Sequence, residues 1–237
     1  MAAVVAFVNG FEETTNTGDQ GLFFGFTRPP FMDRPVVVVA VYYNGPQADA
    51  EAFFAPLLSL GPLVDNTGMM AYEELNAVFN GGATYGGRKS FGGARVALPL
   101  DVAFVAELYD DFAAMVRTYE NVGESLLQFE IIPYTQVIQV PRDATSCAHR
   151  GRGYNVASVF RWYDPGLDGE MRRVQHALMA KIRRRAGVTE GVGLYANYSE
   201  TDTRASEVFG ANLPRLQALK RRYDPRNVFQ KGLSLLE

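Results

Sequence analysis

Three stretches of this sequence put ionisable or hydrogen-bonding side chains where chemistry could be done. In FEIIPY (129–134) one carboxylate, Glu130, interrupts an apolar run that reads as a strand. Such a group is either paired in the core or aimed into a pocket, where burial raises its pKa and readies it for proton transfer. In AHRGRG (148–153), His149 and Arg150 end a loop before the next strand, a usual place for groups that orient a ligand. The structural alternative is an imidazole that caps loop carbonyls. In GLYANYSETD (193–202), alternation along an extended segment would place Tyr195 and Asn197 on one side and Tyr198 on the other. A phenol serves as acid, base or hydrogen-bond donor, although most tyrosines simply pack. The candidate catalytic groups are therefore Glu130, His149, Tyr195 and Tyr198. The candidate substrate contacts are Phe24, Arg28, Tyr43, Arg150 and Asn197.

Other chemistries lack their residues. The glycine-rich stretch NGGATYGGRKSFGGAR (80–95) fails as a phosphate loop, because Arg88 intrudes and the next helix is too far away. It reads as a flexible loop bordering a pocket. One cysteine, Cys147, excludes an internal disulfide and a cysteine-based zinc site, and two histidines, His149 and His176, argue against a histidine-rich metal centre. A net charge of −3 disfavours nucleic acid. The local basic runs KIRRRAG (181–187) and KRR (220–222) fall in the last turns of expected helices, where cations complement the helix dipole. No stretch approaches transmembrane length, and the start MAAVVAFVNGFEE reads as a first helix rather than a signal peptide. A soluble, cytoplasmic protein is expected.

These groups must be positioned by the surrounding elements. Strands are expected over 22–28, 35–43, 63–70, 126–134 and 154–163, and the continuous run PVVVVAVYY suggests a central strand or one at an interface. Helices are expected over 2–11, 46–60, 72–79, 101–119 and 167–186. Val105, Leu108, Phe112, Met115 and Tyr119, and again Met171, Val174, Leu178 and Ile182, recur with the spacing of one buried helix face. The elements alternate without the regularity of a doubly wound fold. The expected class is α+β, an antiparallel or mixed sheet with helices mainly on one face. Residues 1–195 would form a substrate-binding domain, and 196–237 a tail of short helices.

Several motifs then line up in order: FTRPP (26–30), YNGP (43–46), FEIIPY, AHRGRGYNV (148–156), YANY (195–198) and FGANLPRLQALKRRYDPRNVF (209–229). The series resembles the C-terminal half of the FAD-linked oxidoreductases of the berberine-bridge-enzyme-like family. The resemblance covers essentially the whole chain, with YDPxNxF its most specific element. It implies a large antiparallel sheet that roofs a flavin, and a tail that folds back onto a flavin domain. It also implies a general-base role for Glu130, a catalytic tyrosine at Tyr195 or Tyr198, and Asn197 beside the flavin. The family's pyrophosphate loop and flavin-attachment residues find no counterpart in these motifs.

The resulting expectation is a flavin-independent enzyme of natural-product biosynthesis. It would use the old substrate pocket to cyclise or isomerise a small apolar metabolite, cycloaddition included, with no cofactor. Holding such a substrate in a near-attack shape can supply about 7 kcal/mol or more. The alternatives are one half of a split FAD-dependent oxidoreductase, with FAD supplied through a partner chain, and a non-catalytic binding protein. An exposed apolar roof would favour a homodimer, with neither nucleic acid nor membrane as partner.

Overall fold

A computed structural model describes residues 1–11, 18–80, 85–185, 192–200 and 203–236. Five strands, β1 (Gln20–Thr27), β2 (Val36–Tyr43), β3 (Arg88–Val96), β4 (Leu126–Ile131) and β5 (Tyr154–Trp162), pair antiparallel in the order β2-β1-β4-β5-β3. The α-helices are α1 (Ala2–Asn9), α2 (Gln47–Leu58), α3 (Val102–Thr118), α4 (Asp168–Arg185), α5 (Ala205–Phe209) and α6 (Leu213–Tyr223).

Strand alternation sorts the sheet into two faces. One carries Leu22, Phe24 and Phe26 of β1, Leu127, Phe129 and Ile131 of β4, and Val156 and Phe160 of β5, all buried. The apolar stripes of α1, α3 and α4 close over this face in one core. Phe24 stacks on its cross-strand neighbour Phe129 with centroids 4.6 Å apart. Asp101 caps α3 by accepting from the amides of Ala103 (2.9 Å) and Phe104 (3.4 Å). Gln175 fastens α4 to the sheet: it is fully buried, and its Nε2 donates to Ser90 O (3.0 Å) and Ser158 Oγ (2.9 Å).

The sequence expectation of an α+β fold with helices on one face describes this architecture. Three local expectations do not hold. The run Val36–Tyr43 is the edge strand, not a central one, which leaves only the interface alternative, and Val38 and Val39 are exposed. Its β-branched content marks a strand but does not say whether that strand lies at an edge or at the centre. Residues 63–70 form no strand, and Leu63, Val64 and Met69 stand in solvent. The glycine-rich stretch holds β3 from Arg88 onward, with 81–84 outside the described residues. Its glycines serve close approach. A Cβ on Gly92 would meet Ser158 Oγ at 2.9 Å and Met179 Cγ at 3.1 Å, so bare backbone lets α4 lie tight on the sheet.

Gly25 is the sharpest of these constraints, since a Cβ there would lie 2.2 Å from the Leu127 carbonyl oxygen and 2.9 Å from the Gln128 Cα. Both are backbone atoms and cannot rotate away. Gly25→Ala should therefore destabilise the chain by about 1–3 kcal/mol or prevent folding, read as a lower denaturant midpoint. An unchanged midpoint would contradict this packing.

Candidate active site

The other face of the sheet carries the candidate site. Register places Phe23 opposite Glu130, Glu130 opposite Asn155, and Asn155 opposite Arg95. Directly opposed residues share a face, so Phe23, Glu130, Asn155 and Arg95 form one row across β1, β4, β5 and β3. One step along, Gly25, Gln128, Ala157 and Gly93 form a nearly bare row.

Onto this floor the chain lowers Tyr198. Its Cβ rests above Gly93, where a glycine Cβ would lie only 2.6 Å away. From there its ring spans β5, and its hydroxyl donates to Glu130 Oε1 at 2.5 Å. Gln128 Nε2 donates to the same oxygen at 3.2 Å. Burial, and then the Glu130 carboxylate, push the Tyr198 phenol well above the ordinary tyrosine value. At neutral pH it is therefore a proton donor resting on a carboxylate.

Residues 196–198 are a single 3₁₀ turn, not an extended segment. In a 3₁₀ turn positions i and i+3 eclipse, so Tyr195 and Tyr198 lie on the same side, edge to face at 4.9 Å. Asn197 Nδ2 donates to Tyr195 Oη at 2.9 Å. His149 tilts against Tyr195 at 5.4 Å, and its Nδ1 bonds the Gly193 carbonyl at 2.8 Å. That contact protonates Nδ1 and leaves Nε2 as the acceptor. Burial lowers the His149 pKa, the charge of Arg95 lowers it further, and the Gly193 and Asn155 hydrogen bonds oppose them.

An ionic clamp holds the turn. Glu200, nearly buried, joins Arg183 Nη2 (2.6 Å) and His176 Nε2 (2.8 Å) of α4, and Arg183 also donates to Gly93 O at 2.6 Å.

Five of the nine sequence candidates thus meet: Glu130, Tyr198, Tyr195, Asn197 and His149. Arg150 follows His149, but its guanidinium bonds Val137 O and Thr145 Oγ1 and braces the loop. Phe24 and Tyr43, expected as substrate contacts, lie instead on the helix-covered face. Phe24 is in the core, and Tyr43 packs near Phe53 of α2 at 6.1 Å. Arg28 lies against Gly123 beyond the far end of β1, five residues from Phe23, or about 16 Å of strand. Phe23, Gln128, Asn155 and Arg95 escaped the sequence reading, because only strand register reveals that they share a row with Glu130.

The tail shapes itself. Asp224 accepts from the amides of Val228 (2.7 Å) and Phe229 (3.0 Å) and from Lys220, whose ammonium also donates to Phe229 O at 2.7 Å. Asn227 supplies the left-handed residue of the turn, φ 49°. Tyr223, Val228 and Phe229 remain exposed.

One face of the sheet is thus covered by helices, and the other carries the carboxylate–phenol pair. The last part of the chain, residues 194–235, matches the berberine and berberine-like family profile. An FAD-linked oxidoreductase, pgmH of Aspergillus terreus, is 31% identical over 92% of this chain and 47% of that protein. FAD-linked oxidoreductase OXR1 of Pyricularia oryzae is 30% identical over 84% of this chain and 41% of that protein. The structure of berberine bridge enzyme from Eschscholzia californica superposes with a TM-score of 0.73 at 15% identity, covering 99% of this chain and 52% of that one. That of 6-hydroxy-D-nicotine oxidase from Arthrobacter nicotinovorans gives 0.69 at 20% identity, covering 99% and 52%. Residues 194–235 thus carry a berberine and berberine-like segment, the chain is homologous to FAD-linked oxidoreductases and shares the fold of the matching half of berberine bridge enzyme, and it spans about half the length of the curated relatives it matches. No helix among the described residues is long and apolar enough to cross a membrane.

The raised Tyr198 value gives a pH signature. The stabilisation this phenol gains from the folded state is complete below the unfolded tyrosine value of about 10 and is lost as the pH climbs above it. Alkaline titration of wild type and Tyr198→Phe should give the same phenolate absorbance up to about pH 11, because Tyr198 contributes nothing in that range. A smaller amplitude in the variant would contradict the arrangement.

Proposed function

We propose that this chain is the substrate-side half of an FAD-linked oxidoreductase, completed when a flavin-bearing domain, on the same or another polypeptide, closes over its polar face. The observation that carries this reading is the Tyr198–Glu130 pair on a face that the described residues leave without enclosure. Among the described residues, the hollow beside Tyr195 and Tyr198 amounts to about 10 Å³. A larger hollow of about 450 Å³ lies between α3 and α4 and holds no residue of the row. Substrate here needs a second wall. The exposed Tyr223, Val228 and Phe229 offer the apolar contacts with which such a wall would dock.

The residues present fit the ring end of a flavin. Asn197 Nδ2 donates to Tyr195 Oη beside the Tyr198–Glu130 pair, and Asn155 stands next to Glu130 in the row. Tyr195, Asn197 and Asn155 would hold the ring, which when bound supplies a two-electron acceptor. The chain's own part is proton movement. Tyr198 Oη takes a proton from a substrate hydroxyl or acidic C–H as its own proton passes to Glu130, and Gln128 fixes the receiving carboxylate. His149, held neutral, orients a substrate hydroxyl through Nε2.

A second reading keeps the same pair for cyclisation or isomerisation of an apolar natural-product intermediate without flavin. It is favoured because the pair is assembled wholly from this chain's residues. Purification from the native cells at native length discriminates the two. The oxidoreductase reading expects a flavin spectrum that travels with this sequence, whether on one polypeptide or two. A colourless, partnerless chain that turns over a polyene or polyketide would overturn it. On the substrate that bleaches the flavin, Glu130→Gln and Tyr198→Phe should each lower turnover by about 10²–10⁴-fold, with substrate affinity changed far less. Equal turnover would remove the pair from the chemistry.

A further inference from the structure

The row that carries Glu130 ends in a charge that proton transfer does not use. Arg95 is 5% exposed, and its Nη2 donates to the carbonyls of Gly151 (3.0 Å) and Gly153 (3.4 Å). Its Nε and Nη1 are buried, with no hydrogen-bond partner among the described residues. The ionisable group felt most strongly at Arg95 is Arg142, of the same sign. No carboxylate among the described residues pairs with it, although Arg183, Lys181 and Lys220 all have one. A buried guanidinium with three idle N–H bonds is costly unless an anion arrives to meet it.

Its place in the row says what the anion belongs to. Arg95 and Glu130 both flank Asn155, so their backbones are two strand spacings apart, about 10 Å. On the far side of Glu130, Phe23 faces Phe79 at 5.6 Å and gives an apolar wall. From Phe23 to Arg95 the face therefore runs apolar, proton-accepting, cationic.

We propose that Arg95 receives an anionic oxygen group of the substrate, a carboxylate or phenolate, and that the substrate is a flat, otherwise apolar molecule carrying that group about two ring-widths from the atom that loses its proton. This rests on, and deepens, the oxidoreductase reading of the same site. The guanidinium fixes which end of the molecule enters toward β3, and so which position lies over Tyr198.

The test reads binding and needs no turnover. His149 and His176 are the two histidines of the chain, so their imidazole NMR signals are separable. His149 senses Arg95, whereas His176 sits at Glu200. Titrating benzoate into the full chain should move the His149 signal saturably and leave His176 still, and benzyl alcohol should bind at least about tenfold more weakly. Arg95→Met should abolish the benzoate response. Arg95→Lys, which keeps the charge, should weaken it and serves if the methionine variant fails to fold. Equal binding of benzoate and benzyl alcohol in the wild type, or an unchanged response in Arg95→Met, would overturn the proposal. So would inorganic phosphate that displaces benzoate at lower concentration, since the site would then belong to a phosphate-bearing group. Saturable benzoate binding by a chain that lacks flavin in its native cells would sink the oxidoreductase reading while upholding this one.

Discussion

Tyr198 reaches Glu130 by crossing a strand, and it can do so only because β3 and β5 offer Gly93 and Ala157 beneath it, where larger side chains would hold the ring off the sheet. The rest of the polar face depends on that seat. The 3₁₀ turn that delivers Tyr198 brings Tyr195 and Asn197 with it, and Tyr195 in turn meets His149. Arg183 ties the two sides of the seat together, bonding both the Gly93 carbonyl beneath the ring and Glu200 just beyond it. A nearly buried carboxylate held by a guanidinium and an imidazole is costly to disturb, so the ring is held from both ends.

The sheet separates stability from chemistry by parity. Phe24 and Phe129 face the helices, and their neighbours Phe23 and Glu130 face away. The covered side is filled with apolar side chains and one satisfied polar insert, Gln175 with Ser90 and Ser158. The uncovered side keeps a group that the described residues satisfy incompletely, the Arg95 guanidinium. Strain and unmet hydrogen bonds gather where ligands act, because ligands are what relieve them.

Much of this was legible in the residues. The stripes in α3 and α4 and the alternation in β4 and β5 are strong periodic signals, and Glu130 stood out as a charge in an apolar strand. β3 was not legible, because RKSFGGARV has two glycines at its centre and its pairing partner lies far along the chain. That Phe24 faces the core and Phe23 the other side is hidden for a related reason. Two adjacent phenylalanines carry no mark of which one faces the core until β4 fixes the register. Tyr195 and Tyr198 were placed on opposite sides because an extended segment and a 3₁₀ turn differ by a few backbone angles that local sequence barely specifies. The family motifs supplied what periodicity lacked, tying YANY to FEIIPY across more than sixty residues.

The turn built on Asp224 bears on how such a domain can be joined to another. Its backbone is already cross-braced by the Asp224 carboxylate and the Lys220 ammonium, so the aromatic tip is presented as a finished shape rather than a loose strand. A segment that arrives ordered gives up little conformational freedom on docking. In the proposed assembly such a tip would act as a plug that holds by fit, the peptide bond between the two halves adding only effective concentration.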